Sequence, residues 1–227
     1  MNPAIRAVTL DVGGTLIEPY PSVGHIYSEV AARHGHKVFS PEHLDAGFAR
    51  AWQTKGAFRH SREDWARLVA ATFDGLLRPE QTAGFFGELY REFERATAWR
   101  VFDDVRPALV ELNQRGVRLA VLSNWDERLR PLLCELDLGR HFEALFISCE
   151  VGASKPQKEI FLHAASQMNL PPESMLHVGD SRSEEIAGAQ QAGFQALLLD
   201  RSQEVSLNGT LSSLTHLLLF FWEKMSQ

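Results

Sequence analysis

The stretch Ala7-Val8-Thr9-Leu10-Asp11-Val12-Gly13-Gly14-Thr15-Leu16 carries an apolar, strand-like run into a carboxylate and then into a glycine-rich turn. Read as the carboxyl end of a parallel strand, it puts Asp11 where ligand sites of open α/β sheets lie. Later stretches repeat the design. Leu119-Ala120-Val121-Leu122 ends at Ser123 and continues as Asn124-Trp125-Asp126, so a hydroxyl and an amide face the same edge. Met175-Leu176-His177-Val178 leads into Gly179-Asp180-Ser181. Between them, Ala153-Ser154-Lys155-Pro156 supplies a cation, and Pro156 is expected to open the next helix and turn the lysine back to that edge. A nucleophile, a hydroxyl, a cation and a metal-binding carboxylate are expected to converge, which is the inventory of a phosphoryl-transfer site.

Outward from these motifs the pattern changes twice. From about Ser22 to Glu94 it is helical, with Ile26, Val30 and Ala31 at helical spacing, Trp52 in a second segment, and Trp65, Leu68, Val69 and Phe73 in a third. Ser61 with Glu63 and Asp64 reads as the start of that third helix. From Asp103 onward helices alternate with strands expected at Arg118 to Ser123, Ala144 to Ser148, Met175 to Gly179 and Gln195 to Leu199. With the first run they make five, and apolar strands alternating with amphipathic helices call for an α/β fold with a parallel sheet covered on both faces. Linkers are expected near Glu18 to Ser22 and Thr97 to Phe102. Residues 1–17 with 100–227 then form the core, and residues 18–99 an all-helical insert. Leu217 to Trp222 reads as the buried side of a terminal helix begun near Thr210.

Composition narrows the function classes. A chain of 227 residues can bury a full core. Its formal charge of −6 gives no general attraction to nucleic acid or to anionic membrane, so a phosphate ligand must be captured locally. Cys134 and Cys149 are too few for a disulfide framework or a zinc site, and both are expected inside core elements. No charged leader with a long apolar stretch precedes the first strand, so a cytoplasmic location is expected. The six-residue run Leu217 to Trp222 is too short to span a bilayer. Asn208-Gly209-Thr210 has the form of a glycosylation triplet, and its expected meaning is a turn.

The four motifs, in this order and at this spacing, resemble those of the haloacid dehalogenase-like hydrolase superfamily along nearly the whole chain. Ser123 to Leu129, Trp99 to Asp103 and Leu176 to Asp180 look most like the rhythmically-expressed-protein and haloacid dehalogenase-like hydrolase domain-containing protein 3 group. The resemblance implies a Rossmann-like core interrupted after its first strand by a helical cap. It also implies magnesium, and a small phosphorylated metabolite as substrate. Asp11 would attack the phosphate ester and form an aspartyl-phosphate that water cleaves. Asp11, Asp180 and the Gly13 carbonyl would hold Mg2+ through hard oxygen ligands. Lys155 would neutralise charge on the nucleophile and the transferring group, Ser123 and the backbone after it would donate to phosphoryl oxygens, and the Thr15 hydroxyl would orient the nucleophile or contact phosphate. Asn124 reads equally as a substrate-orienting group and as a turn residue.

Two positions depart from the family pattern. Gly13 stands where phosphatases of the superfamily usually have a second aspartate, which protonates the leaving group and then activates water. Losing such a group costs about 10²–10⁴-fold in rate. Glu18, His25 and Asp126 are the residues that could replace it. Glu184-Glu185 stands where Asn-Asp or another aspartate is common, so Glu185 would hold a metal-bound water, pair with Lys155 or remain a solvated acid. Three functions follow: a magnesium-dependent phosphomonoester hydrolase, a phosphonate hydrolase with Lys55 as its Schiff-base lysine, or a non-catalytic phosphate-ligand sensor. Retention of Gly179-Asp180 argues against metal-free dehalogenation. Trp52, Phe58, Arg59 and His60 are the insert residues that could set specificity.

Overall fold

The computed structural model describes residues 5–203 and 209–219. Asn208 and residues 220–222 of the expected terminal helix lie outside the described residues. The chain separates into two compact units, one holding the residues up to Ile17 and from Val101 onward, the other Glu18–Arg100. In chain order the elements are β1 (Ala7–Leu10), β2 (Ile17–Pro19), α1 (Val23–Arg33), α2 (Pro41–Gln53), α3 (Arg62–Thr72), α4 (Pro79–Glu92) and β3 (Trp99–Val101). There follow α5 (Val105–Gln114), β4 (Arg118–Ser123), α6 (Leu129–Glu135), β5 (Ala144–Ile147), α7 (Ser148–Val151) and α8 (Lys158–Gln167). Last come β6 (Met175–Gly179), α9 (Ala187–Gln191), β7 (Gln195–Leu199) and β8 (Thr210–Leu211).

The first unit is built on a parallel sheet of order β5-β4-β1-β6-β7-β8. Every residue of β1 and of β6 is buried, as expected of continuous apolar strands covered on both faces. Leu10 is level with Val121 of β4 and Val178 of β6. The chain steps from β1 outward to β4 and β5, then returns to the other side of β1 as β6. Strand order therefore reverses at β1, and the carboxyl ends of β4, β1 and β6 frame a crevice. Leu122, Phe146, Ile160, Phe161 and Phe194 belong to one buried cluster of this unit, each worth about 1.5–3 kcal/mol on full burial.

The second unit contains α1 to α4, and serines start three of them. Ser22, Ser40 and Ser61 accept from the backbone N–H of His25, His43 and Asp64, and Ser61 with Asp64 forms the capping box. Ile26, Val30 and Ala31 of α1 pack with Leu44, Val69, Phe73, Phe85 and Leu89. The rings of Tyr27 and Phe73 stack at 5.9 Å. β2 and β3 pair as a separate two-stranded sheet where the chain passes between the units.

Several expectations are corrected. Five expected strands are present, with Ala144–Ile147 ending one residue early because Ser148 begins α7. The parallel sheet gains a sixth strand, β8, which begins at Thr210 where a helix was expected, and helical residues start only at 215; β2 and β3 lie where linkers were expected. Pro156 does not open α8: a Ser154–Gln157 turn, closed by a 2.9 Å backbone hydrogen bond, delays the helix to Lys158. Cys134 and Cys149 sit on α6 and α7 but are exposed, because Leu132, Leu133 and Ser148 take the buried positions. Among the described residues no helix is long and apolar enough to cross a membrane.

Candidate active site

Asp11 immediately follows β1, and its N–H donates to the Val178 carbonyl at 3.0 Å, which extends the β1–β6 pairing into the site. Ser123 closes β4, and its hydroxyl donates to Asp11 Oδ1 at 2.8 Å. Lys155 Nζ donates to the same oxygen at 2.6 Å, to the Leu122 carbonyl at 3.0 Å, and lies 2.7 Å from Glu185 Oε1. All four side chains are buried. Asn124 is a clamp on Lys155: its Oδ1 accepts from the Lys155 N–H at 2.8 Å and its Nδ2 donates to the Lys155 carbonyl at 3.0 Å.

Behind this cluster lies a contact that the motifs did not announce. Glu185 Oε2 is 2.6 Å from His177 Nε2, and His177 Nδ1 is 2.8 Å from Thr9 Oγ1. His177 is fully buried in the middle of β6. Both Glu185 oxygens are thus engaged, one by Lys155 and one by His177. The signal in the sequence was a histidine inside an otherwise apolar strand, with an acid eight positions on.

The electrostatics follow from three carboxylates around one ammonium. Oxygens of Asp11, Asp180 and Glu185 all lie within 4.8 Å of one another. Burial would raise Glu185, but Lys155 and the His177 contact outweigh it and hold the carboxyl below its ordinary range. Burial would lower Lys155, and the flanking Asp11 and Glu185 outweigh that and raise it. Asp11 is raised by burial and by the charge of Glu185, against the opposing pull of Lys155 and Ser123. Asp180, although exposed as a residue, has its carboxyl pushed up to about 7 by desolvation and then by the charges of Asp11 and Glu185. The cluster carries an excess of negative charge that a hard cation would relieve. Asp180 is capped out of the following turn, since Ser181 and not Asp180 accepts from the Glu184 N–H.

The backbone after Asp11 is shaped for this arrangement. Gly14 has φ +73°, and a Cβ there would stand 2.2 Å from Asp180 Oδ2. A Cβ on Gly13 would meet only the Trp125 ring, at 3.4 Å. Thr15 is fully buried, its hydroxyl without a partner among the described residues, and its carbonyl accepts from Arg201 at 2.7 Å. The residues that could replace an acid at position 13 are engaged: Glu18 by Arg100, His25 by Ser22, and the buried Asp126 by Arg128 at 2.6 Å. Asn124 Nδ2 also lies 3.5 Å from Glu184. In the helical unit, Trp52, Phe58, His60 and Trp65 form one aromatic cluster, and Lys55 sits 3.5 Å over the Trp52 ring. Arg59 contributes a backbone N–H to Asp64.

Comparison with known proteins identifies the family. Residues 5–193 match the family model of haloacid dehalogenase-like hydrolases. Haloacid dehalogenase-like hydrolase domain-containing protein 3 of Homo sapiens is 32% identical over 233 residues, covering 94% of this chain and 92% of that protein. A phosphoglycolate phosphatase of Pseudomonas fluorescens is 27% identical, covering 86% and 69% of the two chains. The structure of the HAD-hydrolase YfnB from Bacillus subtilis bound to magnesium shares the fold with a TM-score of 0.80 at 18% identity, over 96% of this chain and 99% of that one. The motif set at the sheet edge and the relationship along nearly the full length lead to one conclusion: the chain belongs to the haloacid dehalogenase-like hydrolase family, in the group of domain-containing protein 3.

Proposed function

We propose that this hydrolase is a magnesium-dependent phosphatase of a small phosphorylated metabolite, with Asp11 as nucleophile. The observation that carries the reading is the buried Asp11 carboxylate, held at one oxygen by both Ser123 and Lys155 beside the acidic cluster with Asp180. The relative named phosphoglycolate phosphatase and the magnesium-bound neighbour support it.

Asp11 and Asp180, with the Gly13 carbonyl, would hold magnesium, whose oxygen preference fits the donor set. Bound there, the ion would neutralise charge on the transferring phosphoryl group. The chain's own groups supply the rest. Lys155 fixes the orientation of Asp11 and places a positive charge beside the reacting atoms, and Asn124 fixes Lys155. Ser123 donates to the same Asp11 oxygen, which helps to orient the carboxylate before substrate arrives.

The test is phosphate release from a panel of alkyl, aryl and acyl phosphates, with and without magnesium, beside Asp11→Asn. Magnesium-dependent release that falls to background in Asp11→Asn is the expected result. Release no greater than that of Asp11→Asn on every compound would overturn the proposal.

A further inference from the structure

We infer that the substrate carries a leaving group that departs as a stable oxyanion: an acyl phosphate, or the phosphate of an acidic hydroxyl such as a phenol or enol, in preference to an alkyl phosphate. This rests on the phosphoryl-transfer reading of Asp11 and names the substrate class of the same site.

Gly13, two residues after the nucleophile, has no side chain to donate or accept a proton. The space such a side chain would enter is bordered by the Trp125 ring, whose Cζ3 lies 3.4 Å from an ideal Cβ. The Trp125 main chain is held by Ser148, whose hydroxyl accepts from its backbone N–H and donates to its carbonyl, both at 3.0 Å. An indole carbon wall borders the space, and no proton donor extends from position 13. Neighbouring groups do not substitute: Asp180 belongs to the acidic cluster that would hold magnesium, which commits its carboxylate to the ion. Glu185 has both oxygens engaged by Lys155 and His177. Lys155 directs its three N–H bonds at Asp11, Leu122 and Glu185. Asp126 is buried against Arg128.

Without a donor, the first step moves no proton. An Asp11 oxygen attacks phosphorus, the bond from phosphorus to the leaving oxygen breaks, and that oxygen leaves with the electron pair. An alkoxide is too basic to leave this way at a useful rate, whereas a carboxylate, phenolate or enolate is not. In the second step water attacks phosphorus, the bond to Asp11 breaks, the carboxylate is regenerated, and the water proton passes to solvent with the departing phosphate.

The experiment uses the full chain with magnesium present, and follows both phosphate release and phosphorylation of Asp11. The probes are acetyl phosphate, aryl phosphates of graded phenol acidity, and glycerol phosphate. In the unmodified protein kcat/KM is expected to fall by about 10²-fold or more from the most acidic leaving group to the alkyl ester, the scale of an absent general acid. Gly13→Asp, whose Cβ makes only an ordinary contact, is expected to raise the ratio of glycerol phosphate to acetyl phosphate turnover by about 10²-fold. The aryl series on the unmodified protein decides the matter even if that variant does not fold. Equal turnover across the series, with Asp11 phosphorylated, overturns the leaving-group inference and leaves the phosphatase reading standing. No phosphorylation of Asp11 by any probe, in either protein, overturns both.

Discussion

Gly14 decides whether the Asp180 carboxylate can approach the loop that follows Asp11. Its φ of +73° belongs to the left-handed region, and any Cβ would lie 2.2 Å from Asp180 Oδ2. Gly14→Ala must strain the turn, at about 1–3 kcal/mol, and push the carboxylate out of the cluster. Phosphatase activity is expected to drop about 10²-fold, the cost of misplacing a reacting constellation by an ångström. If the cluster holds magnesium as proposed, the ion is expected to raise the thermal midpoint of the unmodified protein and to leave that of Gly14→Ala unchanged. Full activity with an unchanged magnesium response would show that Asp180 need not sit there. At this scale the sequence is legible where chemistry coincides with a strand end: Asp11, Ser123 and Asp180 each interrupt an apolar run. His177 was not legible, because a residue in the middle of a buried strand reads as packing, and only the fold shows that Glu185 curls back to meet it. Asn124 stood open between two roles, and its amide turned out to be committed to the backbone of Lys155.

The start of α1 shows how an element depends on its neighbour as well as on its own cap. The Ser22 hydroxyl donates to Asp45 Oδ2 at 2.7 Å, the Gly24 N–H donates to Asp45 Oδ1 at 2.6 Å, and a Cβ on Gly24 would stand 2.0 Å from the Pro41 carbonyl oxygen. Alanine has the higher helix propensity, yet here the close approach to α2 wins. Gly24→Ala is expected to destabilise by about 1–3 kcal/mol, as overpacking does. Gly84 lies in α4 with open space around its Cβ position, so Gly84→Ala should stabilise by up to about 1 kcal/mol. Urea unfolding of the two variants checks this, and shifts of the same sign would refute the packing argument. Long apolar runs made the strands readable in advance, and Ser61 with Asp64 did the same for the start of α3, whereas the Ser22 and Ser40 caps show only in the fold. Two-residue β8 has too little pattern to read, and Pro156 was misplaced because a turn set by the Gln157 N–H and the Ser154 carbonyl intervenes before α8.

Alternation of strands and helices made the α/β architecture legible across the whole chain, but the ties that close the sheet unit join residues far apart in sequence and leave no local pattern. Asp104, just before α5, accepts from Arg201 at 3.0 Å, from the Ser213 hydroxyl at 2.8 Å and from the Leu214 N–H at 2.7 Å. Arg201 also donates to the Thr15 carbonyl and lies 3.9 Å over the Phe102 ring, so one ion pair joins the nucleophile loop, the entry to α5 and the segment after β8. Burial alone would raise the Asp104 carboxyl, but Ser213, Leu214 and Arg201 outweigh it and hold it below the ordinary carboxylate range. A carboxyl ionised more readily in the folded than in the unfolded chain adds stability fully present above its unfolded value. That contribution disappears as pH falls through the folded value. Asp104→Asn should therefore lower stability at pH 7 by about 1–2 kcal/mol, charged hydrogen bonds discounted for partial exposure. The gap to the unmodified protein should shrink as pH drops below about 4, where the native carboxyl also becomes neutral. Chemical denaturation of both proteins across that range measures it. A gap that stays constant to low pH would mean that Asp104 contributes through shape alone, and that its charge does not hold the two ends of the sheet unit together.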